Sequence, residues 1–309
     1  MEKKFLLAVD DSLHSKQAIE YAVSLASVIT DVNFTLLNVQ PAISGFLLDE
    51  AKTDSKANIA VKKLIKKNTE KSNAILENLK SSMVNLGIPV DKITTISQPR
   101  ILGLAKDILE RAISELFDVI IIGRRGLTGL QEVFMGSVTN KILDHIESTP
   151  ICIVDGEIKS NKIMVAIDGS ESSLKAVKHI GFIASNSPDA HLTLFHVIPK
   201  AEDYCQVELD EDDKEIESII SKTSKQCIEK FYELAKNVFK ENGLKESQIT
   251  IKEGQKTGNI GKSIMEEANA GNYGTIVVGR RGMSKSFFGG SVSKHIINKT
   301  SGKAIWIAP

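Results

Sequence analysis

An α/β fold written twice is what the sequence predicts, and two observations predict it. The first is internal repetition. Ala8-Val9-Asp10-Asp11-Ser12 matches Ala166-Ile167-Asp168-Gly169-Ser170, and Thr35-Leu36-Leu37-Asn38-Val39 matches Thr193-Leu194-Phe195-His196-Val197, both at an offset of 158. Gly123 returns as Gly279 and Gly136 as Gly290, at offsets of 156 and 154. Four matches in one order with small drift mean duplication. The second observation is alternation. Within each half, short β-rich runs alternate with segments of helical period, the pattern of a parallel sheet covered on both faces.

In the first half, strands are expected at 5–9, 34–39, 93–96, 119–122 and 151–154. After the first, Ala18, Tyr21, Ala22, Leu25, Ala26 and Ile29 recur at the spacing of a buried helical stripe, and Ser12 is placed to cap that helix. A longer helix carries Val61, Leu64, Ile65, Ile75, Leu76, Leu79, Met83 and Leu86, and stops at Gly87 and Pro89. Another spans 104–116, and one after Ser137, with Val138, Ile142 and Ile146, ends before Pro150. The polar stretch 155–160 contains Gly156 and sets a boundary between domains 1–156 and 157–309. The second half repeats the plan, with strands at 163–167, 192–197, 249–252, 275–278 and 304–307 and helices at 174–184 and 216–239. Insertions 41–60 and 199–215 follow the second strand of each half. The latter is acidic, but it is not a calcium loop, because Glu215 stands where that pattern needs glycine, so it reads as a solvated flexible loop, or else a lid or partner surface.

A chain of 309 residues, 42% hydrophobic and 25% charged, suits two globular domains of ordinary composition. Lysine plus arginine balance aspartate plus glutamate at 39 each, so no global field favours nucleic acid or an anionic membrane, and only a local patch could. Cys152, Cys205 and Cys227 show neither metal nor C-x-x-C spacing, which fits a reduced cytoplasmic setting with Cys152 as a small core residue. The first strand begins almost at once, leaving no room for a signal peptide, and no apolar run approaches the ~20 residues of a membrane span. A soluble cytoplasmic protein is expected.

Chemistry concentrates where Val119-Ile120-Ile121-Ile122-Gly123-Arg124-Arg125-Gly126 is followed, after nine residues, by Gly136-Ser137-Val138-Thr139. A buried strand running into a glycine loop and a helix start offers unpaired N–H groups and the positive end of a helix dipole to an anion. The phrase returns as Thr275-Ile276-Val277-Val278-Gly279-Arg280-Arg281-Gly282, then Gly290-Ser291-Val292-Ser293. In a parallel sheet Asp10, Val39 and Gly123 lie along one rim, where open α/β sheets bind ligands. Taken singly, these residues also read as helix-cap acids, tight-turn glycines and N-cap serines. Arg124, Arg125, Arg280 and Arg281 read either as a phosphate clamp or as solvated loop charges or interface residues. His14, His145, His179 and His295 have no matched nucleophile and read as surface or cap residues, and Trp306 as core or interface. Gly258 to Ser263 resembles a P-loop, but the first glycine of that pattern falls on Lys256, so the segment reads as a loop and helix start.

The strand-one Asp and the Thr-Leu-hydrophobic-x-Val second strand of both halves, with G-x-x-G-(nine residues)-G-S in the first half and a shorter form of it in the second, resemble the universal stress protein family. The resemblance implies two tandem Rossmann-like (adenine nucleotide alpha hydrolase-like) domains, each a five-stranded parallel sheet of order 3-2-1-4-5, and binding of ATP, with AMP or ADP as alternative bound forms. Carried over, Asp10 and Val39 would meet adenine, while Gly123, Gly126, Gly136, Ser137 and Val138 would meet ribose and phosphates, with Arg125 beside them. The second-half counterparts are Asp168, Val197, Gly279, Gly282, Gly290, Ser291 and Val292. There only seven residues separate Gly282 from Gly290, which puts the second cradle in doubt. Asp11, which replaces the Gly169 of the second half, would either weaken phosphate binding or help hold Mg²⁺. The resemblance also implies pairing of fifth strands, in a homodimer or an intrachain pseudo-dimer. The expected function is a nucleotide-holding stress-response regulator with at most slow ATP hydrolysis. The alternative is an interaction scaffold with vestigial sites. An ATP-pyrophosphatase-like enzyme would want a Ser- and Gly-rich loop after the first strand, which Asp10-Asp11-Ser12 does not supply.

Overall fold

In the computed structural model, residues 2–124, 137–144, 149–198, 214–280 and 291–309 are described. The chain divides into two compact units, one of residues 2–24 and 31–155 and the other of residues 25–30 and 156–309.

The first unit has five strands: β1 (Lys3–Ala8), β2 (Val32–Val39), β3 (Ile93–Gln98), β4 (Val119–Gly123) and β5 (Ile151–Asp155). All pair in parallel, in the order β3-β2-β1-β4-β5, with Leu7 registered between Leu36 and Ile121. Phe5, Leu6, Leu7, Ile120 and Ile121 are wholly buried, because both faces of the sheet are covered by the crossover helices that parallel strands require. Those helices are α1 (Leu13–Ala26), α2 (Gly45–Glu50), α3 (Ser55–Asn85), α4 (Leu104–Ser114) and α5 (Ser137–Asp144). Ser12 caps α1, its Oγ accepting from the Ser15 N–H at 3.2 Å. Gly87, at φ 102°, ends α3 as its position in sequence suggests.

Two features of this half go beyond the sequence reading. The insertion 41–60 holds α2 and the start of α3, where the Asp54 carboxylate accepts from the Ala57 N–H at 2.7 Å. Within α3, Val61, Leu76, Leu79 and Met83 are buried, but Leu64 and Ile65, and Leu86 at its C-cap, are not. Helical period places them correctly, yet 31 helical residues extend ~46 Å while the eight residues of β2 extend ~26 Å, so the stripe outruns the sheet it packs on.

In the second unit β6 (Ile163–Ile167), β7 (Leu192–Ile198), β8 (Ile249–Gln255), β9 (Thr275–Gly279) and β10 (Lys303–Ala308) pair in parallel in the order β8-β7-β6-β9-β10. Its helices are α6 (Glu171–Ile183), α7 (Lys214–Glu241), α8 (Ile260–Ala270) and α9 (Ser291–Lys299). Asn259 caps α8, its Oδ1 accepting from the Lys262 N–H at 2.8 Å, so the P-loop-like segment is indeed a loop and helix start. Trp306 is core, wholly buried in β10. His179 is not a surface or cap residue. It is half-buried, its Nε2 shielded from solvent and its ring packed against Trp306 with centroids 5.5 Å apart, because its spacing from Ala176 and Ile183 turns it toward the inward face of α6. Most of the acidic insertion, 199–213, lies outside the described residues.

Candidate functional site

Where β1, β2 and β4 end, the first unit opens a cleft of about 470 Å³, within the range of small-molecule sites. Its floor is the strand ends, with Val9, Asp10 and Asp11 from β1 and the turn after it, Val39 and Gln40 from β2 and beyond, and Gly123 from β4. Asn68, Lys71 and Ser72 of α3 form one wall, Arg100 and Leu104 another, and Thr139 of α5 closes the end beside Gly123. The connections after β1 and β4 leave the sheet on opposite faces, which is how a doubly wound sheet makes a crevice.

Three of the residues expected at the site, Asp10, Val39 and Gly123, line this one cleft. Asp10 also has a structural task. Its Oδ1 accepts from the Ser12 N–H at 3.0 Å and from Ser15 Oγ at 2.7 Å, while its own N–H donates to Ser15 Oγ at 2.8 Å, so the acid fixes the turn into α1. Gly123 is glycine for a reason other than phosphate approach. A Cβ there would stand 2.7 Å from His14 Cβ and 2.8 Å from the His14 carbonyl oxygen, so its bareness lets α1 cross β4. Gly279 repeats this against Ser172, whose carbonyl oxygen would lie 2.6 Å from a Cβ.

Arg124 is not a phosphate clamp. It is buried, and its guanidinium Nη1 donates to Asp155 Oδ2 at 2.7 Å, tying the end of β4 to the end of β5. Arg125, Gly126 and Gly136, with Arg281, Gly282 and Gly290 in the second half, lie outside the described residues. Ser137 and Val138 open α5, and Ser291 and Val292 open α9, so both helices start where the sequence predicts.

In the second unit Asp168 Oδ1 accepts from the Ser170 N–H at 3.0 Å, and Val197 is buried near the end of β7, so both occupy positions equivalent to their first-half counterparts. Where the first unit has Asn38, the second has His196, whose Nδ1 lies 3.1 Å from the Ile167 carbonyl oxygen. Among the described residues, no group of three or more His, Cys, Asp or Glu side chains is placed to hold a metal ion.

Sequence reasoning missed the polar chain beneath the cleft. Asn38 Nδ2 donates to the Val9 carbonyl at 2.7 Å, Ser72 Oγ to Asn38 Oδ1 at 2.7 Å, Ser97 Oγ to Ser72 Oγ at 2.7 Å, and Gln40 Nε2 to Ser97 Oγ at 2.9 Å. The links pair the buried side chains of Asn38 and Ser72 and the Val9 carbonyl, and the chain locks β1, β2, β3 and α3 together at the rim. The signal was visible in the polar Asn38 amid the apolar second strand. Two cations were also missed. Lys71 Nζ sits 4.0 Å from Asp11 Oδ2, both largely exposed, so the pair is screened and weak, and Arg100 stands on the β3–α4 connection.

Comparison with known proteins places this geometry. Universal stress protein YxiE of Bacillus subtilis is 29% identical over 161 residues, spanning 50% of this chain and 99% of that one. Universal stress protein MJ0577 of Methanocaldococcus jannaschii is 30% identical over 86 residues, 28% of this chain and 49% of that one. The crystal structure of a universal stress protein from Archaeoglobus fulgidus covers 99% of this chain and 97% of its own at a TM-score of 0.65 and 19% identity, a likeness of fold. The universal stress protein family model matches residues 1–154 and again 159–303, so the repeat seen in sequence and the repeat seen in the strands are two copies of one family domain, and the chain is a tandem member of the universal stress protein family.

Proposed function

We propose that the chain is a stress-response regulator that holds an adenine nucleotide in the first-unit cleft, with ATP as the principal ligand. The observation that carries the reading is the convergence of Asp10, Val39 and Gly123 on one cleft of about 470 Å³ at the carboxyl edge of the sheet. In this reading the base lies toward Asp10 and the Val39 backbone, and the phosphates toward Gly123, Gly126, Gly136, Ser137 and Val138, with Arg125 beside them. The start of α5 supplies N–H groups and dipole to the anion. Asp11 stands at the cleft and would help hold Mg²⁺ when a triphosphate is bound. Hydrolysis is at most slow. Among the described lining residues there is no histidine or cysteine, and Asp10 is engaged by Ser12 and Ser15. The two functional domains are residues 1–156 and 157–309, the protein works in the cytoplasm, and β5 and β10, each last in its unit's strand order, are the surfaces for homodimer or pseudo-dimer pairing.

A second reading applies to the second half. Its glycine loop is two residues shorter, seven between Gly282 and Gly290 against nine between Gly126 and Gly136, which favours a scaffold role with Asp168, Val197, Gly279, Ser291 and Val292 retained by the fold. Denaturing the purified protein and measuring released nucleotide by mass spectrometry, with calorimetric titration of AMP, ADP and Mg·ATP, tests both. One equivalent per chain supports the first-half site alone, and two restore the second. No released nucleotide and no binding at millimolar ligand overturns the reading.

A further inference from the structure

The balanced charge of the whole chain conceals a local imbalance. Residues 55–69 contain Lys56, Lys62, Lys63, Lys66 and Lys67 and no acidic residue, while Asp49, Glu50, Asp54 and Glu70 bracket the run without entering it. All five lysines are exposed on the amino-terminal half of α3, and among the described residues only Lys66 lies within ion-pair distance of a carboxylate, Glu70 at 3.8 Å. Apolar side chains stand among them. Ile59 is 68% exposed and shares a helical face with Lys62, Lys63 and Lys66 at spacings of three, four and seven. Leu64 and Ile65 are 40% and 45% exposed, and Phe46 on α2 is 90% exposed. The Asn58 side-chain amide donates to the Ala51 carbonyl at 3.0 Å and fastens α2 to α3, so Phe46 and the lysines are held on one scaffold.

We infer that the α2–α3 surface adsorbs to an anionic phospholipid bilayer, the lysines meeting the headgroups and Phe46 and Ile59 entering the interface. A cluster of four to eight lysines attracts acidic lipid, and projecting apolar side chains add burial that a purely electrostatic partner would leave unused. Charge complementarity selects an anionic surface, and the protruding phenyl and sec-butyl groups select a bilayer over a nucleic-acid backbone, which rewards cations alone. This inference is independent of the nucleotide reading.

The test is co-sedimentation of the full chain with vesicles of phosphatidylcholine alone and of phosphatidylcholine containing about one third phosphatidylglycerol, at low and high salt. Binding to the acidic vesicles at least about tenfold above the neutral ones, weakened by salt, is expected. Combined K62E, K63E, K66E and K67E substitutions should weaken it roughly a hundredfold or more, and F46S with I59S by roughly tenfold. The substituted side chains are exposed, so circular dichroism melting should show the fold retained. Equal binding by wild type and charge-reversed protein, or no binding to acidic vesicles, overturns the inference. So does retention of an oligoribonucleotide, or a dimer dissolved by the charge reversals, in the absence of vesicle binding.

Discussion

His179 makes the stability of the second unit depend on pH in a way that can be calculated. Its ring packs against Trp306, its Nε2 is shielded from solvent with no hydrogen-bond partner, and desolvation lowers its pKa from 6.5 to about 3. Above pH 6.5 the imidazole is neutral in both the folded and the unfolded chain, and the group adds no pH dependence. Below pH 6.5 the unfolded chain takes up a proton that the folded chain refuses, so stability falls as pH falls, down to the folded pKa. The slope is about 1.4 kcal/mol per pH unit, which by pH 5 amounts to about 2 kcal/mol. That is a large part of a typical domain stability of ~5–15 kcal/mol. Trp306 is the only tryptophan of the chain, and its ring lies 5.5 Å from His179, so urea unfolding followed by tryptophan fluorescence reads the relevant unit directly. Other groups titrate in the same window, and the control is His179→Leu, which removes the imidazole while keeping an apolar side chain of similar size. The wild type should lose about 2 kcal/mol more than the variant between pH 7 and pH 5. Parallel pH profiles, or an NMR titration of the folded His179 ring centred near 6.5, would refute the reasoning.

Other residues give equally direct outcomes. Asp155→Asn leaves the buried Arg124 guanidinium without its carboxylate, and chemical denaturation should show a loss of ~3–5 kcal/mol, with Arg124→Met together with Asp155→Leu recovering much of it. Gly123→Ala drives a methyl group into the backbone of His14 and should lower the melting temperature of the first unit even in nucleotide-free protein, at a cost of ~1–3 kcal/mol. Asn38→Leu cuts the polar chain from β1, leaving the Val9 carbonyl without its donor and Ser72 Oγ without its acceptor, so a loss of ~2–3 kcal/mol is expected, together with weaker nucleotide binding than in Gln40→Ala, which trims the chain's other end. Both are read by urea titration and calorimetry on the same preparations.

The architecture was legible because both of its signals are periodic. Runs such as Val119 to Ile122 are apolar throughout since parallel strands are covered on both faces, and the repeat of Asp10 in Asp168 needs no structure to be seen. Helix ends were legible wherever a local device stops or starts the chain, as at Ser12, Gly87 and Asn259. Burial along a long helix was not. Leu64 and Ile65 follow the same period as Leu76 and Leu79, and only the length of the neighbouring strands decides that the former stay open. The site was half legible. Asp10, Val39 and Gly123 could be named because strand ends of one polarity share a rim, whereas Lys71, Arg100 and Ser97 reach the cleft or its polar chain by tertiary packing between segments far apart in sequence. His179 was misjudged because a polar residue on an inward helical face looks, one residue at a time, like a polar residue at the surface.

The two glycines that end the fourth strands bear on how such sites are read. Gly123 and Gly279 each sit under the first turn of a helix, His14 in one unit and Ser172 in the other, at distances a Cβ could not tolerate. Both halves therefore keep this glycine for the crossing of helix over strand, whether or not a nucleotide is ever bound. The same holds for Asp10 and Asp168, whose carboxylates accept from the turn that follows each of them. Residues with a structural task persist in a duplicated half that has lost its ligand, so their presence cannot separate a working site from a vestigial one. What can separate them are features the fold does not need. The nine-residue loop against the seven-residue one is such a feature, as is Asp11 against Gly169. Both differ between the halves. A variant of the first half carrying the shorter loop should therefore fold with unchanged stability and bind less nucleotide. Equal binding would mean that the loop length is neutral and that the second half had been discounted wrongly.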